Sequence, residues 1–240
     1  MKAVVRENFE ASPDAYAAYE RRTGRFETLA RLLAAELDAR AARSLGTVLD
    51  AGAGTGASTG PLAERADRVV ALDLSRAMLR ELNSPRRVEG DFEHLPFRAE
   101  AFDAVAFTAS LFLVPDPAVP AAEAARVLRP GGVVGAVAPL GWVDADGRDV
   151  FDDLDRESRS PAGADAVEAA LADRFETATG TWRFATTADD VARFHEIPAM
   201  AARLYPRLPV DERVARARDL LADREGTVEQ RWRWIVGVAP

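Results

Sequence analysis

The chain has 240 residues, 31 basic against 39 acidic side chains, a formal net charge of -8 and no cysteine. That length suits one α/β domain with a core that needs no staples, and the lack of cysteine excludes disulfides and thiolate metal sites. With only His94 and His195 no zinc site is expected, and the acidic balance argues against a nucleic-acid partner, whose backbone calls for clustered cations. No apolar run reaches the ~20 residues of a membrane span. Met1-Lys-Ala-Val-Val-Arg6 leads into polar sequence rather than a signal peptide, so a cytoplasmic location is expected.

In chain order, Ser12-Pro13-Asp14 reads as a helix start, with Ser12 at the N-cap and Pro13 at the first helical position. This helix runs to Arg22 and carries Tyr16 and Tyr19. A second helix is predicted over 25–43, with Phe26, Leu29, Leu33 and Leu37 on one face. Apolar runs predict strands over 47–51, 68–74, 87–89 and 103–108, separated by helices over 58–66, 75–82 and 116–128. Pro130-Gly131-Gly132 reads as a turn and 133–137 as the fifth strand. Further on, helices are predicted over 151–158 and 164–174, a sixth strand over 175–184, and helices over 188–196, 199–205 and 210–224. Over 230–238, Trp232, Trp234, Val236 and Val238 alternate with Arg231, Arg233 and Gly237, as in a last strand with one face in the core. Strands alternating with helices demand parallel pairing and right-handed crossovers.

The stretch Thr47-Val-Leu-Asp-Ala-Gly-Ala-Gly-Thr-Gly56 carries the most information. Its apolar run ends in Asp50 and enters a loop with Gly52, Gly54 and Gly56 at alternate positions. Glycine there permits positive φ and a close ligand approach. Asp73 closes the next apolar run, where a mononucleotide-binding half places a carboxylate for ribose hydroxyls. An adenosine-containing cofactor is therefore expected. The spacing G-x-G-x-G departs from the G-x-G-x-x-G that cradles a dinucleotide pyrophosphate.

Val48–Gly56 resembles the first motif of class I S-adenosylmethionine-dependent methyltransferases, whose loop passes under the methionine part of the cofactor. Asp73, with Leu-Ser-Arg-Ala-Met78 after it, is similar to the family's second-strand acid, which binds the ribose. Gly90-Asp91-Phe92 resembles the third-strand end, where the acid faces the adenine amino group. Leu95-Pro96-Phe97 and Phe102-Asp103-Ala104-Val105 are similar to the approach to strand four, and Arg126-Val-Leu-Arg-Pro-Gly-Gly132 to the turn before strand five. The match covers residues 45–140 and is nearest the small-molecule type 11 group. It implies a Rossmann-like, doubly wound seven-stranded sheet, mostly parallel with an antiparallel last strand, and helices on both faces. It implies one domain over 1–240: an N-terminal helical lid (1–44), a cofactor-binding core (45–140) and a C-terminal part with helices and the last two strands (141–240). The cofactor implied is S-adenosyl-L-methionine, with Asp50, Ala51, Gly52, Gly54, Thr55, Gly56, Asp73, Leu74, Met78, Asp91, Phe92 and Thr108 as its candidate contacts. Asp50 either holds the loop amides or touches the cofactor.

Methyl transfer from a sulfonium releases a neutral thioether, so the chemistry requires no fixed acid, and the sequence names no catalytic residue. Thr108-Ala-Ser-Leu-Phe-Leu-Val-Pro115 lies where relatives hold groups near the transferred methyl, often Asn or His; here Ala109 and Ser110 stand instead. If Leu111, Phe112 and Leu113 face the pocket they favour an apolar or lipid-like small-molecule acceptor. Tyr16, Tyr19 and Ser110 are the candidate substrate residues. His94 is expected on a surface turn and His195 as a structural histidine, while Trp142, Trp182 and Trp232 are too dispersed to define an aromatic box. The competing readings are a cofactor-binding protein without transferase activity and a nicotinamide-dependent oxidoreductase. A single lysine, Lys2, leaves no Tyr/Lys pair for the latter.

Overall fold

The computed structural model describes residues 2–84, 86–151, 163–222 and 225–240. The chain opens with three helices, α1 (Lys2–Glu10), α2 (Pro13–Thr23) and α3 (Arg25–Arg40). Then come β1 (Thr47–Ala51), α4 (Thr59–Ala63), β2 (Arg68–Asp73), α5 (Arg76–Glu81), β3 (Arg87–Glu89) and β4 (Phe102–Thr108). After a 3-10 turn at Leu111–Leu113 come α6 (Ala118–Val127), β5 (Leu128–Val143), α7 (Ala164–Ala172) and β6 (Glu176–Thr187). The last elements are α8 (Ala188–His195), α9 (Pro198–Leu204), α10 (Val210–Leu221) and β7 (Thr227–Val238). The strands form one seven-stranded sheet in the order β3-β2-β1-β4-β5-β7-β6. β1 to β5 pair in parallel, and β7 runs antiparallel between β5 and β6. This is the doubly wound sheet expected from the motif.

The central strands read as unbroken apolar runs because helices cover both faces. Val48 and Leu49 of β1 and Ala104–Phe107 of β4 are fully buried. The chain order reverses beside β1, which pairs with both β2 and β4, and a crevice opens there at the carboxyl ends of the strands.

Four differences from the sequence reading have physical causes. First, α1 has no strong sequence signal and is held by tertiary contacts. Asn8 Oδ1 accepts from buried Arg213 at 2.6 Å, and Glu10 Oε1 accepts from the Arg76 amide at 2.8 Å. Second, Ser12 does not cap α2: with φ -108 and ψ -8 its hydroxyl donates back to Asn8 O and accepts from the Ala199 amide. Third, the expected turn Pro130–Gly132 is an irregularity inside a longer β5. The register against β4 shifts there, and Gly131 at φ 72 absorbs the extra residues. Fourth, β7 keeps one face in the core as expected through Arg233 and is buried on both faces only from Ile235 to Gly237. Trp232 and Ile235 are each essentially unexposed although they point to opposite sides. The helix predicted over 151–158 lies, but for Phe151, outside the described residues.

Helix α3 supplies much of the cover for one face, burying Phe26, Leu29, Ala30, Leu33, Ala34 and Leu37. It comes so close to β5 that a Cβ on Gly135 would stand 2.8 Å from Leu33 and 3.0 Å from Leu37. With that approach the leucines cannot be shortened without leaving a void. Leu33→Ala is expected to cost about 2–5 kcal/mol of stability, read as a lower urea midpoint with an unchanged slope.

Candidate functional site

The glycine loop leaves β1 with Gly52 at φ 85, Gly54 at φ 55 and Gly56 at φ 99. The amides of Gly52 and Ala53 donate to Leu72 O at 2.8 and 3.0 Å, which ties the loop to the end of β2. A Cβ on Gly52 would overlap Ser110, whose hydroxyl donates to Ala51 O at 2.6 Å. A Cβ on Gly56 would overlap Leu82 instead, so that glycine serves packing against the segment after α5.

Asp73 sits at the end of β2. One carboxylate oxygen accepts from the Gly54 amide at 2.8 Å, the other from the Ser75 amide at 2.8 Å. Burial raises its pKa above the ordinary carboxylate value, and these amide bonds pull the other way. Ser75 also caps α5 by accepting from the Met78 amide.

A cleft runs across these strand ends. Gly52, Gly54, Asp73, Leu74, Met78, Asp91, Phe92, Thr108, Ser110 and Tyr16 all line it. Ala51, Thr55 and Gly56 are not among its lining residues. Tyr19 is buried in the core, with its ring 6.0 Å from Phe26 and 5.3 Å from Phe194. Tyr16 stacks on Phe26 at 4.7 Å, and burial raises its pKa far above the usual phenol range. Asp91 accepts from the Glu93 amide at 2.8 Å, and His94 stands exposed beside it, 3.8 Å away. Ala109 adopts φ 56, an uncommon conformation for a residue with a Cβ, at the turn where β4 enters the cleft. Thr108 Oγ1 is buried and, among the described residues, has no hydrogen-bond partner.

The sequence did not point to Val5 and Phe9 of α1, nor to Phe194, Met200 and Trp232, which complete the lining. The tryptophan alternation in β7 carried a usable signal for Trp232; the others gave none. Among the described lining residues Asp73, Asp91 and Glu93 are acidic and none is basic. Such a lining suits a ligand with positive charge and hydroxyl or amino donors. It offers no cation to a pyrophosphate.

Fold and motif order define the class. Residues 49–135 match the family model described as a methyltransferase domain, and these residues carry the motifs that resemble the class I S-adenosylmethionine-dependent methyltransferases. Among curated proteins, it is 43% identical over 90 residues to a demethylmenaquinone methyltransferase of Renibacterium salmoninarum, covering 35% of this chain and 38% of that protein. Similarity to the chloroplastic 2-methyl-6-phytyl-1,4-hydroquinone methyltransferase 2 of Oryza sativa is 38% over 107 residues, covering 40% and 31%. The chain thus spans well under half the length of these relatives. A solved SAM-dependent methyltransferase of Thermotoga maritima shares the fold, with a TM-score of 0.56 and 18% identity over 98% of this chain and 99% of that one. The 4+2 cyclase SpnF does so as well, with a TM-score of 0.55 and 21% identity over 88% and 81%.

Asp50 turns away from the cleft. Fully buried under the loop, it accepts from the hydroxyls of Ser58 at 2.8 Å and Thr59 at 2.7 Å and so holds the start of α4. Burial pushes its carboxyl from 3.8 up to about 6 against the lowering effect of both hydroxyls. A folded-state value raised above the unfolded one favours the protonated protein, so its contribution is lost as pH rises through about 6. Asn at this position keeps both hydroxyl bonds without the ionisation. Relative to Asp50→Asn, the wild type is expected to lose up to about 3 kcal/mol between pH 4 and 7. Paired urea unfolding curves across that range check it, and a pH-independent difference would contradict it.

Proposed function

We propose that the chain binds S-adenosyl-L-methionine in this cleft and transfers its methyl group to a small, apolar or lipid-like acceptor. The observation that carries the reading is the acid-lined, cation-free cleft at the strand-order reversal, with Asp73 clamped between the Gly54 and Ser75 amides. The residues fit the cofactor. Asp73 keeps lone pairs for two ribose hydroxyls, Asp91 suits the adenine amino group, and Leu74, Met78 and Phe92 suit the faces of the adenine. Gly52 and Gly54 leave backbone open beneath the methionine part, while the buried hydroxyl of Thr108 has a hydrogen bond to give.

When bound, the cofactor supplies an electrophilic methyl group on a sulfonium whose leaving group is neutral. The protein's own part is orientation and exclusion of water, and orientation of this kind contributes up to roughly 7–11 kcal/mol. α1 and α2 act as the cover, bringing Val5, Phe9 and Tyr16 over the strand ends. Phe112, Leu113, Phe194 and Trp232 give the far wall an apolar surface. That surface, and relatives named for quinone and hydroquinone substrates, support an apolar ring-bearing acceptor.

Thermal unfolding with saturating S-adenosylmethionine, S-adenosylhomocysteine or NAD tests the reading. At about a hundred times the dissociation constant a true ligand adds roughly 2.7 kcal/mol, or about 5–10 °C for a chain of this size. Shifts are expected with both sulfur compounds and not with NAD; a shift with NAD alone would overturn the proposal. Asp73→Ala is expected to weaken S-adenosylhomocysteine binding about ten- to a hundredfold by calorimetry.

A further inference from the structure

More free space lies beside the glycine-loop cleft than within it. A second chamber of about 270 Å³, against about 90 Å³ for the cleft, shares Phe112, Phe194 and Trp232 with it. A cavity of ~150 Å³ already admits a benzene ring, so this one has room for a fused bicycle. Six of its described lining residues carry aromatic rings. Around His195 the ring centroids of Phe151, Phe194 and Trp142 stand at 4.9, 5.1 and 6.4 Å.

Three polar groups line this apolar setting, and two of them lack the partners that buried groups normally find. Gln230 is 2% and Trp232 1% exposed, yet among the described residues neither Gln230 Oε1 nor Trp232 Nε1 has a hydrogen-bond partner. They lie two residues apart on β7, hence on one face of the sheet. The third is His195, 5% exposed. Its Nδ1 stands 2.8 Å from Val191 O, and a carbonyl can only accept, so Nδ1 carries the proton and the lone pair falls on Nε2 at the other edge. Burial draws this histidine down to about 4, which keeps the ring neutral at ordinary pH.

The charged residues on the wall are already committed. Asp149 accepts from the Phe151 amide at 2.8 Å, and Arg203 lies over the Phe112 ring at 4.8 Å. With one charge of each sign on the described wall, a neutral occupant fits better than an ion. One donor, with two acceptors that can share a single proton, set among aromatic rings, suits a flat ring that bears a hydroxyl.

We infer that this chamber is the acceptor subsite, holding a neutral hydroxylated aromatic ring whose hydroxyl accepts from Trp232 Nε1 and shares its one proton between Gln230 Oε1 and His195 Nε2. The inference rests on the transferase reading for its purpose, but binding tests it separately.

The experiment is calorimetry on the full chain saturated with S-adenosylhomocysteine, titrated with 1-naphthol or naphthalene. A purely apolar chamber prefers naphthalene or does not discriminate. The polar groups predict about tenfold tighter binding of 1-naphthol. Gln230→Leu and His195→Phe should each erode that preference while leaving S-adenosylhomocysteine affinity unchanged, since neither residue lines the cleft. If one variant fails to fold, the other and the wild-type comparison still decide. Equal binding of the two probes, or a preference that survives both substitutions, overturns the chamber assignment. Failure of S-adenosylhomocysteine itself to bind overturns the cofactor reading instead.

Discussion

The carboxylate of Asp73 stands between two backbone N–H groups, and through them three chain segments meet at one point. Gly54 brings the loop from β1, Asp73 brings the end of β2, and Ser75 brings the first turn of α5. A buried acid needs such donors, because an ionised carboxylate taken from water without them is very costly. The glycine loop in turn needs the acid, since the left-handed Gly54 amide would otherwise point into the cleft unmet. The Gly52 and Ala53 amides bonded to Leu72 O fix the same corner from its other side. The shape of the strand-end crevice follows from this mutual satisfaction of a loop and an acid.

The cover of the crevice is built differently. α1 is tied to both halves of the chain: Glu10 meets the amide that opens α5, while Asn8 meets Arg213 in α10 and Ser12 meets the start of α9. The Asn8–Arg213 and Ser12–Ala199 contacts are buried and hold the helix where its own sequence would not. The exposed pair Arg6–Glu89 adds little beside them, because water and salt screen it. The N-terminal and C-terminal segments thus meet over the cleft, and residues as distant as Phe9 and Trp232 come to line one space.

How much of this was legible depended on the range of the interactions involved. Strands β1 to β4 fell within a residue or so of expectation because a doubly covered parallel strand must be a run of apolar residues. Ser75 as a cap was legible for a similar local reason. The helix α1 was not, since its nine residues are too few for the Val5–Phe9 spacing to stand out, and it owes its place to partners in α5, α9 and α10. Asp50 and Asp73 look alike in sequence, each an acid at the end of an apolar strand. One turned under the loop to Ser58 and Thr59 while the other faced the cleft, and only the path of the chain after each strand separated them. Gly56 likewise belongs to Leu82, not to the cleft.

By itself the sequence determined the alternation of strands and helices, the order of the motifs and hence the family resemblance, because these rest on short-range apolar runs and on turns that only glycine can make. The tertiary structure alone decided which helix roofs the crevice, and that Trp142, Gln230, Trp232 and His195 gather at one aromatic chamber. Those four lie on β5, β7 and α8; local spacing pairs Gln230 with Trp232 but cannot bring Trp142 or His195 to them. Their meeting is set by β7 running back antiparallel between β5 and β6, with α8 packed across the end of the sheet.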